Sequence, residues 1–142
     1  MVLDLHSNNF TGGLDYIFAK RNDRSIRQYL VLDLSDNMRI RTKISGKIEK
    51  PGDIKACNNG LTVTIPAELC NSTSLASIVL SNNNLTGGIP SGLMNVRLLR
   101  ELDVSHNMLT GEIPPHNATI PASSFEGNSG LCGSPLPPCN TA

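Results

Sequence analysis

The apolar and polar positions of this chain repeat. Leu75, Ile78, Leu80, Asn83, Leu85 and Ile89 recur as Leu99, Leu102, Val104, Asn107, Leu109 and Ile113, twenty-four residues later, and each run ends in Pro. Within a run, the apolar–x–apolar triplet (78 and 80, or 102 and 104) marks a short strand with one face buried. One further step back reaches Pro51, and the apolar register persists at Ile54, Ala56, Leu61 and Ile65. Three consecutive units in phase predict a solenoid, in which each coil buries its apolar face only against its neighbours. Upstream the pattern survives but the phase is lost. Leu3-Asp-Leu5 with Asn8 and Leu32-Asp-Leu34 with Asn37 are twenty-nine residues apart, and Ile44-Ser-Gly-Lys-Ile48 reads as a displaced half-unit. The second unit therefore carries both an insertion and a deletion.

Stacked coils pair their strands into a parallel sheet at a spacing of about 4.8 Å. The Asn that closes each strand (Asn8, Asn37, Asn59, Asn83, Asn107) is expected to point inward and bond backbone groups of its own and the next coil. A buried amide left unpaired would cost on the order of 1–3 kcal/mol. The Thr-Gly-x-Ile-Pro run is expected to turn the chain toward the outer face, with Gly allowing the bend and Pro fixing φ. Residues 14–29 break the repeat and read as a short amphipathic helix on that face or as a non-repeat island.

The runs at 75–114 resemble the plant-specific leucine-rich repeat, Leu-x-x-Leu-x-Leu-x-x-Asn-x-Leu-(Thr/Ser)-Gly-x-Ile-Pro. The later segment Ser123-Ser-Phe125-Glu-Gly127-Asn128, continuing through Leu131-Cys132-Gly133 and Pro135 to Cys139, is similar to the C-terminal cap of plant receptor-like kinases and receptor-like proteins. The resemblance implies an α/β, right-handed solenoid with a parallel sheet on the concave face and short 3-10 or irregular segments on the convex face. It divides the chain into irregular N-terminal repeats (1–50), regular repeats (51–114) and a cap (115–142). It also implies a Cys132–Cys139 disulfide, the rival reading of two zinc ligands lacking further ligands at suitable spacing. The expected location is the cell exterior or plasma membrane, and the expected role is binding a protein or peptide ligand, or a co-receptor, in signalling or defence. In that family the cap precedes a membrane span, and further repeats cover the edge presented by residues 2–5. The chain is thus expected to be the C-terminal part of a larger ectodomain, the rest being absent. The alternatives are a secreted inhibitor of cell-wall hydrolases and a non-functional truncated gene product.

Composition agrees with an elongated shape: three Phe, two Tyr and no Trp are few for a compact core or an aromatic binding hot spot. The formal net charge is zero, yet ten of the twelve Lys and Arg lie at 20–55. That excess reads as solvated side chains of connecting segments rather than a nucleic-acid patch. No stretch approaches the roughly 20 apolar residues of a membrane span, and the N-terminus lacks a signal-peptide pattern. Four sequons, at Asn9, Asn71, Asn84 and Asn117, mark candidate glycosylation sites. Cys57 and Cys70 are expected to be free thiols. His6, His106 and His116 are too dispersed to share a metal, and neither a phosphate loop nor a nucleophile with an adjacent base is present, so no enzyme activity, metal or cofactor is expected.

The side chains alternating with the buried leucines are the natural partner contacts. The expected binding positions are Lys55, Asn58, Val79, Asn82, Arg100, Glu101, Asp103 and His106, with Ser35, Ser81 and Ser105 also projecting outward. Five such strands span only about 20 Å, a small surface on which Arg100 and Lys55 are the only apparent anchors.

Overall fold

The computed structural model describes residues 2–9, 11–12, 31–37, 39–40, 52–117 and 119–140. The expected helix or island at 14–29 and the half-unit at 44–48 lie outside the described residues. Short strands β1 (Val2–Asp4), β3 (Val31–Asp33), β5 (Asp53–Lys55), β6 (Ser77–Val79) and β8 (Glu101–Asp103) form one parallel sheet in that order. The register aligns Leu3, Leu32, Ile54, Ile78 and Leu102, in steps of 29, 22, 24 and 24 residues. The upstream units therefore stack in the same sheet despite their broken spacing, because sheet pairing fixes the strands and leaves loop length free.

The Thr-Gly run does more than turn the chain. β7 (Thr86–Gly87), β9 (Met108–Glu112) and β10 (Gly130–Cys132) make a second parallel sheet in the order β10-β9-β7, with Thr64 bridging to Thr86. β2 (Thr11–Gly12) pairs with β4 (Arg39–Ile40) at the equivalent upstream positions. Beyond the second sheet a Pro opens each 3-10 turn: η1 (Ala67–Asn71) follows Pro66, η2 (Ser91–Asn95) follows Pro90, and η3 (Ala122–Ser124) follows Pro121. The proline fixes φ and its carbonyl accepts the first turn's bond, as from the Leu93 N–H at 2.9 Å. Where η1 meets η2 the fit is close, for a Cβ on Gly92 would lie 2.9 Å from that of Cys70.

The core is a stack of columns. One runs through Leu34, Ala56, Leu80 and Val104 and ends on Phe125 of the cap, all buried. Leu61, Leu85 and Leu109 form another, and Ile65, Ile89 and Ile113 a third. Large aromatics have little place in such columns, since each slot is one coil, about 4.8 Å, deep; the ring comes at the end, where it closes the stack.

Three residues after each member of the first column stands the ladder Asn. The Asn83 amide donates to the carbonyls of Ala56 (2.9 Å), Leu80 (3.0 Å) and Ser81 (3.3 Å), and its oxygen accepts the Leu61 N–H at 3.1 Å. Asn107 repeats this with Leu80, Val104, Ser105 and the Leu85 N–H. The ladder thus ties each coil to the preceding coil, not to the next as expected. Asn8 departs from expectation too: it is exposed, and among the described residues it bonds only to the carbonyls of Leu5 and His6 in its own coil. Conversely Asn128 in the cap is a full member, donating to Val104 and Phe125 and accepting the Leu109 N–H. Its Phe125-x-x-Asn128 spacing matches Val104-x-x-Asn107 and was readable in the sequence. Among the described residues, the buried oxygen of Asn59 has no donor.

The residue before each ladder Asn is left-handed: Ser7, Asp36, Asn58, Asn82 and His106 have φ between 52° and 59°, and Gly127 in the cap has φ 72°. That five side chains tolerate this conformation shows that φ alone does not demand Gly127. Its neighbour does, since an added Cβ would stand 2.4 Å from Nδ1 of His106 and 3.0 Å from its Cα. We expect Gly127→Ala to lower stability by about 1–3 kcal/mol, the range of left-handed strain plus a displaced ring. His106→Ala in the same background recovers part of that loss. An unchanged urea midpoint in the single variant would disprove the contact.

Candidate partner-binding face

Alternation along the short strands sends one set of side chains away from the core. Lys55, Val79 and Asp103 are consecutive register partners, half-buried on the open side of the sheet, and Asp53, Ser77 and Glu101 form the row beside them. Asn58, Asn82 and His106 are exposed at the left-handed turn positions, so their backbone shapes the fold while their side chains face solvent. Arg100, just before β8, is exposed. The structure thus brings the eight candidate positions to one side of the sheet and its rim.

The serines expected to project outward are covered. Ser35, Ser81 and Ser105 are only 6–8% exposed. The recurring Asp-x-Ser is a local brace. Asp103 Oδ1 accepts both the N–H and the hydroxyl of Ser105, at 3.0 and 2.7 Å, and Asp33 accepts the Ser35 N–H at 3.0 Å. A short side chain folded back on its own strand is covered by its neighbours, whereas the longer side chains around it stay accessible. The Ser77 hydroxyl donates to the Glu101 carboxylate, and the Asn58 amide to Asp36 at 2.7 Å.

At its C-terminal end the sheet runs into the cap. The N–H groups of Val104 and His106 donate to Ser124 and Glu126 at 2.9 and 2.8 Å, which covers what would be an open strand edge. Between them lies an open recess of about 400 Å³, with Arg100, Glu101 and Asp103 on one wall and Ile120, Pro121 and Ser124 on the other. Sequence reasoning found the first wall and missed the second. The available signal was Ile120-Pro121, which repeats the Ile-Pro pair of the coils within the cap.

The remaining candidates fall elsewhere. Asn9, Asn71, Asn84 and Asn117 are all exposed. Cys132 and Cys139 are bonded, Cα to Cα 4.8 Å, and Cys132 sits on β10, so the bridge anchors the chain's last described turn to the second sheet. Cys57 and Cys70 are free thiols. Burial pushes the Cys70 thiol up; a backbone hydrogen bond works against this and Glu68 adds to it. His6 lies 3.7 Å from Asp4, and His116 stacks obliquely on Phe125 at 6.3 Å. Among the described residues no three His, Cys, Asp or Glu are grouped to hold a metal ion, and no helix is long and apolar enough to cross a membrane.

The Leucine Rich Repeat family model matches residues 74–96 and 98–118, the coils with the regular twenty-four-residue step. A chain of the BIR3–SERK2 complex from Arabidopsis thaliana is 29% identical with a TM-score of 0.79, over 98% of this chain and 73% of that one. The BIR2 ectodomain from the same plant is also 29% identical, with a TM-score of 0.76, over 95% of this chain and 70% of that one. Higher identity, 36%, is found with the ectodomain of the Arabidopsis receptor kinase GASSHO1/SCHENGEN3 in complex with CASPARIAN STRIP INTEGRITY FACTOR 2, at a TM-score of 0.61 over 66% of this chain. The present chain spans only 11% of that receptor's. No curated protein sequence matches.

Proposed function

From the premise that this chain belongs with the leucine-rich-repeat ectodomains of plant receptors, we propose that it is a non-catalytic binding module that engages a protein or peptide, or a co-receptor, at the outer surface of the plant cell. The observation that carries this reading is the open face of the five-stranded sheet, where Lys55, Val79, Arg100, Glu101 and Asp103 are held by short strands and bounded by the cap recess. Side chains on such strands are positioned before a partner arrives, which lowers the entropic cost of association. The likeness to a chain of the BIR3–SERK2 complex, and to a receptor kinase solved in complex with the peptide hormone IDA and the co-receptor SERK1, supports a peptide or a co-receptor as partner. The regular coils and the cap form the binding part, and the irregular upstream units extend the same sheet. Signalling, with defence as one form of it, is the role in keeping with receptor kinase relatives. The exposed sequons Asn9, Asn71, Asn84 and Asn117 suit glycosylation in the secretory pathway.

Val79 offers the test, because it lies centrally in its row and only half-buried. Val79→Arg places a long cation in the middle of the face while leaving the columns beneath untouched. Against an immobilised SERK-type ectodomain, the variant is expected to bind about tenfold or more weakly, equivalent to about 1.4 kcal/mol, with an unchanged melting curve. Equal binding by wild type and variant, or none by either, would contradict a co-receptor docking on this face.

A further inference from the structure

The sheet face carries a charge that the whole chain does not. Its outward and rim positions hold Asp4, Asp33, Asp36, Asp53, Glu101 and Asp103 against Lys55 and Arg100, while the formal net charge of the chain is zero. Asp4 and Asp33 are direct register partners on β1 and β3. Like charges opposite one another on adjacent strands oppose folding. Among the described residues no Lys or Arg pairs with any of these carboxylates, and the ion pair present is the exposed one between His6 and Asp4. In the recess, Asp103 spends Oδ1 on Ser105 and Glu101 spends Oε2 on Ser77. Among the described residues each keeps a second oxygen without a protein partner.

Resting on the binding role just argued, we propose that this face takes an extended basic peptide segment, seating a lysine or arginine side chain in the recess beside Glu101 and Asp103. The recess, at about 400 Å³, falls within the roughly 300–1,000 Å³ of small-ligand sites, enough for one long side chain and its flanking backbone. From β8 to the carboxylate of Asp33 on β3 are three strand steps. That is about 14 Å, or about four residues of extended chain. The segment therefore carries cations four residues apart, with neutral residues passing Val79 and Lys55.

The test uses the 142-residue chain and a fluorescein-labelled peptide of eight residues, Lys at its second and sixth positions and Ser elsewhere, read by anisotropy. A matching peptide with Glu for Lys is expected to bind at least about tenfold more weakly, and added salt to weaken the Lys peptide. The double variant Glu101→Gln/Asp103→Asn is expected to lose about tenfold, because the amides keep the hydrogen-bond acceptors and remove only the charge. Glu68→Gln/Glu112→Gln, which changes net charge equally on η1 and β9, is expected to stay within about twofold. Equal binding of the Lys and Glu peptides, equal losses in the two double variants, or no binding of the Lys peptide overturns the proposal. Should Val79→Arg still abolish co-receptor binding in that event, only the basic character of the partner falls. Should it not, the docking face falls too.

Discussion

Phe125→Ala lowers the stability of the folded chain by about 3–5 kcal/mol, the range for removing a fully buried ring that cannot be refilled. Phe125 is 0% exposed and stands last in the column Leu34, Ala56, Leu80, Val104. In a solenoid every inner slot has a coil on both sides, and the last slot has only the cap. Truncation there opens the column to solvent and also loosens Asn128, whose amide donates to the Phe125 carbonyl at 2.9 Å. Urea denaturation followed by circular dichroism measures the loss. Phe125→Leu is expected to cost less than half as much, since it keeps most of the apolar volume. A cost below about 1 kcal/mol for the Ala variant would mean that the cap is not part of the cooperative core.

Asn83→Ala is expected to cost about 3–4 kcal/mol, because it breaks four buried hydrogen bonds at once, each worth on the order of 1 kcal/mol, and leaves the Leu61 N–H without its acceptor. The bonds run from its amide to the carbonyls of Ala56, Leu80 and Ser81, which keep other donors in Asn59, Asn107 and the Asn58 N–H, and from the N–H of Leu61 to its oxygen. The informative comparison is Asn59→Ala. Its amide also donates to three carbonyls, those of Leu34, Ala56 and Cys57, but among the described residues its oxygen holds no donor. Removing it breaks three hydrogen bonds rather than four and leaves no N–H without an acceptor, since the carbonyls of Leu34, Ala56 and Cys57 keep donors in Asn37, Asn83 and the Asp36 N–H, so the cost falls by about 1–2 kcal/mol relative to Asn83. Equal costs at the two sites would show that the ladder is not graded in this way.

Much of this was legible in one dimension. Ile78 and Leu80, or Leu102 and Val104, announce a strand with one buried face, because side-chain direction alternates whatever the surroundings. The ladder Asn was legible from its spacing alone, and so were the sheet face and the location of Arg100, Glu101 and Asp103 on it. The direction of the ladder was not, because it depends on which neighbour's carbonyl the amide reaches once the coils are stacked. Ser35, Ser81 and Ser105 misled for a similar reason: alternation says which way a residue points and not whether a short side chain will be covered. The second sheet was missed because Leu-Thr-Gly satisfies a turn in one coil as well as a strand in a stack of them.

The period, the column residues and the cap motif are thus properties of the sequence, since each follows from distances along the chain that a coil must obey to close. The recess beside the cap belongs to another class. Arg100, Glu101 and Asp103 meet Ile120, Pro121 and Ser124 only because the cap docks on β8 through the Val104 and His106 N–H groups. The tight fit of His106 on Gly127 and the missing donor at Asn59 arise in the same way, from packing between coils that no periodicity records. Repetition specifies a coil from within itself, whereas a site at the end of the stack exists only where two unlike pieces of chain are brought together.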